Sequence, residues 1–409
     1  IIMKIKFCRN CKSDNLVGLL SLGKMSFTGK FPKNNKINIP KADLNLLMCK
    51  FCKFVQLDQN FSQKYLYGSG YGYRTGINKT MTEHVKKIVK KSTAIVKLKK
   101  NDHVLDIASN DGTLLNFYNS DIVKVGIDPL INKYKNFYKK IQYPISNFFN
   151  FKDIHKKKLK KKFKIITALS VFYDLKKPNS FFKDIKKILS KDGIFVLEQA
   201  DLLLTLQRNI FDTICHEHLG FYSSKVIIDM VKNNNLKVFN HEYNNINGGS
   251  SRYYICHEDS KFNFNKKNIY NTLNKEKNYN LYSVKTFKSF YANINKQKKI
   301  LNKLIKKIKN KNMSIHGYGA STKGNVLLQF YNINNKQIDY ISDRNPLKSN
   351  FYTPGTKIKI ISENKSRKIK PDYYLVLPWH FKNEILTREK KIRKKGTKFI
   401  FPLPKVNIS

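Results

Sequence analysis

Four cysteines in two Cys-x-x-Cys pairs, Cys8/Cys11 and Cys49/Cys52, are the first residues whose type and spacing imply chemistry. Each pair puts two thiolates on one tight turn, and the two turns together complete a tetrahedral four-sulfur zinc site. Four sulfurs leave no open coordination position, so the zinc expected there is structural and remote from any reaction. The segment 12–48 between the pairs exceeds the commonest zinc-ribbon spacing and implies an intervening subdomain. Cys215 and Cys256 stand alone. The start, Ile-Ile-Met-Lys-Ile-Lys, has no apolar export signal, so the cysteine usage argues for metal over disulfides and for a cytoplasmic protein.

The run 101–116 reads Asn-Asp-His-Val-Leu-Asp-Ile-Ala-Ser-Asn-Asp-Gly-Thr-Leu-Leu-Asn. It predicts a buried strand at 104–107 containing Asp106, a small polar turn, and a helix beginning at 114–115. A second strand at 123–127 ends at Asp128, where an acid binds ribose hydroxyls. The layout suits a dinucleotide or S-adenosylmethionine. The G-x-G-x-x-G run that a pyrophosphate needs is absent: Ala108, Ser109 and Asn110 stand in its place, followed by Asp111 and Gly112. S-adenosylmethionine has no pyrophosphate and is favoured.

A third group, His216-Glu217-His218, follows the strand expected at 193–198. Imidazole titrates near neutrality, and an adjacent carboxylate can orient it, so the triplet looks like acid–base machinery. Structural hydrogen bonding is the plainer alternative, and a metal site lacks a third ligand. In the last third, Met313 to Lys323 follows a strand, glycine-turn, helix pattern. Gly317, Gly319, Thr322 and Lys323 are the candidate anion site there, at a helix start, with a plain tight strand-to-helix connection as the alternative.

The elements that must position these groups alternate. Strands at 164–169 and 193–198 flank a helix at 179–189, and a closing hairpin spans 236–257 around Asn247-Gly248-Gly249. A helical bridge fills 259–310, and strands at 338–342, 373–377 and 399–401 suggest a second, smaller α/β unit. The expected fold is α/β: a Rossmann-like class I methyltransferase core, an N-terminal zinc-binding subdomain and a smaller C-terminal α/β domain. The expected boundaries are 1–62, 63–258 and 259–409. No apolar run approaches the roughly 20 residues of a membrane span. The net charge of +51 is spread along the chain with heavy Asn and Ile usage, which argues for a solvated basic surface over a nucleic-acid stripe.

Over essentially its whole length the chain resembles the C-methyltransferase family of deoxysugar biosynthesis. The resemblance rests on the paired cysteines around Leu22-Gly23-Lys24-Met25, on Tyr71-Gly72-Tyr73-Arg74-Thr75-Gly76, and on 106–112. Glu198-Gln199, Thr213 to His218, His316 to Asn325, Asp343 to Pro346 and Pro378 to Phe381 continue it. It implies zinc on the four cysteines, S-adenosylmethionine in the middle domain, and a nucleotide sugar between the middle and C-terminal domains. It makes His218 the general base, with Glu217 and His216 supporting it, Tyr71 and Tyr73 in the stretch that supplies an active-site tyrosine, and Gln199 near the substrate. Two positions depart from some family members: Cys215 replaces a tyrosine, and Phe172-Tyr173-Asp174 lacks a histidine. The expected function is therefore S-adenosylmethionine-dependent C-methylation of a nucleotide-linked keto-deoxysugar, by a monomer or homodimer with no membrane or nucleic-acid partner. An O- or N-methyltransferase, or a nucleic-acid-associated zinc protein without catalysis, are the rivals.

Overall fold

The computed structural model of the chain describes residues 2–61, 66 and 73–409. Its middle sheet has seven strands in the order Leu236–Asn244, Ser250–His257, Leu189–Ala200, Phe163–Leu169, His103–Ile107, Val123–Ile127 and Tyr143–Ile145. The last five run parallel, while Ser250–His257 is antiparallel to both its neighbours. Every residue of His103–Ile107 is buried, as befits a parallel strand covered on both faces. Chain order reverses at this strand, and in an open α/β sheet ligands collect beyond the carboxyl ends at such a switch.

The helix Lys79–Val96 buries Met81, Val85, Ile88, Val89 and Ser92, which recur every three to four residues. Asn78 caps its start through the Met81 N–H, and Lys97 in the left-handed region ends it. One expected element is missing. Where the sequence predicts a helix from 114–115, the chain makes only a 3-10 turn, Leu115–Phe117. Asn119, Ser120 and Asp121 turn the backbone straight into the next strand, so there is no room for a second helical turn.

The N-terminal sheet is antiparallel, in the order Gly220–Phe221, Val55–Leu57, Lys41–Cys49, Leu16–Ser26. Its first strand comes from just after the His-Glu-His segment, so this sheet adjoins that segment. The C-terminal sheet runs Ile360–Ser362, Tyr340–Asp343, Ile315–Tyr318, Tyr373–Val376, Lys398–Phe401, Asn407–Ile408, parallel up to the last strand. Helices Lys266–Asn278 and Val284–Lys309 bridge to it. The longer helix buries Phe287, Phe290, Ile294, Leu301, Ile305 and Ile308 along one stripe. These side chains join Leu44 and Leu46 of the N-terminal sheet and Leu375 of the C-terminal sheet in one core. No helix among the described residues is long and apolar enough to cross a membrane.

Candidate functional site

The two Cys-x-x-Cys turns are built alike. Lys12 and Lys53, each following the second cysteine, take positive φ and return their N–H groups to the carbonyls of Cys8 and Cys49. The four sulfurs lie within 4.8 Å of one another, with Cys8–Cys52 at 3.6 Å and Cys11–Cys49 at 3.5 Å. A tetrahedron with zinc–sulfur bonds of about 2.3 Å has edges of about 3.8 Å. The donor set therefore fits zinc, with no ligand position left for chemistry.

At the carboxyl end of the middle sheet, Ala108, Asn110 and Gly112 all have positive φ. Gly112 is required twice over, since a Cβ there would sit 2.8 Å from Ile141 Cδ1. Asp128 accepts the Asn110 N–H at 3.0 Å and the Leu130 N–H at 2.7 Å, which fixes the turn against the second strand. Asp106 accepts Thr167 Oγ1 at 2.5 Å. Burial pushes the Asp106 carboxyl up to about 7 and Asp128 up to about 6. Such acids suit a cationic ligand, and the sulfonium and ammonium of S-adenosylmethionine qualify where a pyrophosphate does not. Asn110 and Asp111 do something further. Asn110 accepts the Thr75 N–H at 2.9 Å and donates to the Tyr73 carbonyl at 3.1 Å, while Asp111 takes Arg74 Nε and the Gly76 N–H. They tie segment 73–76 across the turn. Tyr73 contributes its backbone carbonyl there and is 44% exposed as a residue; Tyr71 lies outside the described residues.

The His-Glu-His residues diverge into three environments. His216 is buried, its Nε2 3.2 Å from the Ala42 carbonyl and its ring edge-on to Phe27 and Phe61. It packs into the N-terminal sheet, and burial holds its pKa near 4. Glu217 is buried too, accepting Thr28 Oγ1 at 3.2 Å, with burial raising its carboxyl. A Cβ on Gly29 would come within 2.8 Å of Glu217 Oε1, so a larger residue there would push the carboxylate aside. Among the described contacts Glu217 does not orient His218. That is done by Thr213, whose carbonyl accepts from His218 Nδ1 at 2.7 Å. The His218 ring lies 4.0 Å from Tyr173 and lines a small cavity of about 10 Å³, room for about one water, with Ala200, Thr205 and Phe221. Burial, assisted by the charge of Lys323, holds its pKa near 3, so it is neutral at working pH.

Gln199 is 1% exposed, yet both its amide atoms lack a partner. Ser251 and then Tyr243 stand beside it in register across the sheet, and the Tyr243 hydroxyl is also unpartnered. Buried polar groups without partners call for a missing one, and a ligand at this sheet edge answers to it.

The residues expected at the C-terminal anion site make contacts within the protein. Gly317 lies inside a strand, where a Cβ would meet Ile341 Cδ1 at 2.3 Å, and Gly319 is pressed against Pro378. The Gly319 N–H goes to the Ser342 carbonyl, and the next N–H, of Ala320, goes to the Asp343 carboxylate. These glycines serve packing. Thr322 opens the helix Thr322–Phe330, which Ser321 caps. Lys323 donates to the Asn247 carbonyl at 2.9 Å and sits 3.6 Å from the buried Asp212, whose other oxygen accepts Trp379 Nε1 at 2.8 Å. Asp212, Thr213, Tyr173 and Trp379 were not singled out as site residues from sequence. Thr213 and Trp379 fall inside quoted motifs, Tyr173 at a flagged departure, and Asp212 just before the first of those motifs.

Comparison with known proteins accounts for nearly all of the chain. A zinc binding domain model matches residues 8–67, a methyltransferase domain model matches 77–241, and a C-methyltransferase C-terminal domain model matches 245–404. The C-methyltransferase NovU of Streptomyces niveus is 23% identical, covering 100% of this chain and 98% of its own. Among solved structures, a Pyrococcus horikoshii OT3 protein is 17% identical over 48% of this chain and 100% of its own, with a TM-score of 0.36. A Clostridium acetobutylicum S-adenosylmethionine-dependent methyltransferase is 11% identical over 43% of this chain and 92% of its own, with a TM-score of 0.35. At those scores the structures add nothing to the sheet order already described. Taken with that sheet order and the cysteine cluster, the three domain models in sequence identify the chain as an S-adenosylmethionine-dependent methyltransferase that joins a zinc-binding domain, a class I methyltransferase domain and a C-methyltransferase C-terminal domain.

Proposed function

We propose that this enzyme methylates the carbon α to the ketone of a nucleotide-linked keto-deoxysugar, with His218 as general base. The observation that carries the proposal is the His218 hydrogen bond. Because Nδ1 must donate to the Thr213 carbonyl, the neutral ring keeps its lone pair on Nε2, free for the cavity that His218 lines. A neutral imidazole there takes the α-proton and leaves a nucleophilic enolate carbon. S-adenosylmethionine, held by 108–112, Asp106 and Asp128, supplies an electrophilic methyl group. Tyr173 lies against His218, and it or a tyrosine of the 71–73 segment holds the enolate oxygen. Gln199 offers its amide to the sugar, and Glu217, accepting from Thr28, supports the segment that carries His218.

Carbon as the acceptor is supported by the C-methyltransferase relative and the C-terminal domain model. A keto sugar is supported by the ordered set of family motifs, and the charge of +51 favours a diphosphate-bearing substrate. In this scheme segments 1–62, 63–258 and 259–409 carry zinc, cofactor and substrate respectively. The test is mass spectrometry of products from a panel of 4-keto nucleotide sugars with methyl-labelled S-adenosylmethionine. Label is expected on a ring carbon; label on oxygen or nitrogen, or no turnover with any keto sugar, overturns the proposal.

A further inference from the structure

We propose that Lys323 and Trp379, both from the C-terminal part, clamp Asp212 and through it set the position of His218, so that both are positioning residues for proton removal. The proposal rests on His218 being the base. Asp212 is completely buried. It meets Trp379 Nε1 at 2.8 Å on one oxygen and Lys323 Nζ at 3.6 Å on the other. The next residue, Thr213, gives the carbonyl that fixes His218 Nδ1. The clamp also grips the hairpin turn of the middle sheet. Asn247, at φ 56, aims its carbonyl at Lys323, and Gly248 lies under the indole, where a Cβ would be 2.5 Å from Trp379 Cη2. Two separate segments from beyond position 320 thus meet on one carboxylate, and the same two side chains hold the hairpin turn.

A buried carboxylate that loses its cation or its N–H donor is left undercompensated, and the chain carrying it shifts or takes up a proton. A base displaced by about 1 Å loses on the order of 100-fold in rate. The Lys323 charge also disfavours imidazolium at His218 and at His380. The geometry accounts for why Lys323 is unavailable to a phosphate.

The experiment uses the full-length, zinc-loaded protein with Lys323→Met, Lys323→Arg and Trp379→Phe. It reads kcat, KM, cofactor affinity, exchange of the substrate's α-proton in D2O, and the pH profile of kcat/KM. Lys323→Met is expected to lower kcat and exchange by about 10- to 100-fold with cofactor affinity unchanged, and to move the acid limb to higher pH. Lys323→Arg is expected to restore most of the rate. Trp379→Phe is expected to lower kcat while leaving the limb in place, because the charge remains. A Lys323→Met enzyme with normal kcat and a raised KM for the nucleotide sugar alone overturns the clamp in favour of a phosphate contact. Should Lys323→Met fail to fold, wild-type kcat and exchange in Trp379→Phe overturn it. If His218→Asn still exchanges the proton, the base assignment has failed; if it does not, while the clamp variants behave as wild type, only the clamp has failed.

Discussion

Two histidines one residue apart look interchangeable in a sequence, and they have opposite fates in the fold. His216 points into the Phe27 and Phe61 pair, and His218 lies against Tyr173 at a cavity. The difference comes from residues about 170 positions upstream and 45 upstream, Ala42 and Tyr173, which no local pattern displays. The cofactor turn was more legible, because its left-handed positions fall on Ala108, Asn110 and Gly112, in the short polar stretch that breaks the strand. Its acids yield a prediction. Asp106 and Asp128 ionise only near 7 and 6, above the ordinary carboxylate value of about 3.9. Folded pKa values raised in this way cost the ligand-free protein stability as pH climbs from about 4 to 7. A cationic cofactor prefers the ionised acids, so its affinity should rise from pH 5.5 to 7.5 and binding should release protons below pH 7. Calorimetry in buffers of different ionisation enthalpy measures both, and a flat profile contradicts the assignment. Asp128→Ala should weaken S-adenosylmethionine by about 1.5–3 kcal/mol, the range for a hydrogen bond to a charged group.

At the scale of elements, the strand Gly220–Phe221 is the informative one. Two residues long, it has no sequence signal, yet it joins the segment 211–221 to the sheet that carries the cysteines. The longer strands and the hairpin at 236–257 were readable from β-rich runs broken by glycine and asparagine. The absent helix after 112 was not, because two leucines resemble a helix start until the following Asn-Ser-Asp is weighed. The pairing carries a consequence for metal. Cys49 ends Lys41–Cys49, which pairs with Val55–Leu57, which pairs with Gly220–Phe221. One zinc per chain is expected by elemental analysis. Cys49→Ser should lower solubility and weaken hydrogen-exchange protection at 216–221 ahead of the strands at 163–169 and 103–107. A zinc-free, fully protected wild-type protein contradicts this, as metal binding in such sites is folding energy.

Across the whole molecule, the N-terminal sheet shares one buried cluster with the C-terminal sheet and another with the middle sheet. Asn325 donates to the Thr28 carbonyl, and Gln329 pairs with both backbone groups of Ser26, so the C-terminal helix Thr322–Phe330 continues the edge of the N-terminal sheet. Sequence motifs named the three parts in order, but such contacts across about 300 residues have no periodicity to betray them. The basic surface acts at this scale. The KM for a nucleotide sugar should rise several-fold as salt shortens the screening length from about 30 Å at 0.01 M to about 8 Å at 0.15 M; a salt-independent KM contradicts a steered anionic substrate. The central claim is that a carbon-bound proton is removed by His218 before methylation. Exchange of the α-hydrogen of a 4-keto nucleotide sugar in D2O, followed by NMR for wild type and His218→Asn with the S-adenosylmethionine product present, tests it directly. Wild type should wash deuterium into that carbon, and His218→Asn should do so on the order of 10²- to 10⁴-fold more slowly while still binding both ligands. Exchange at the wild-type rate in the variant, or methylation without any exchange-competent carbon, contradicts the account.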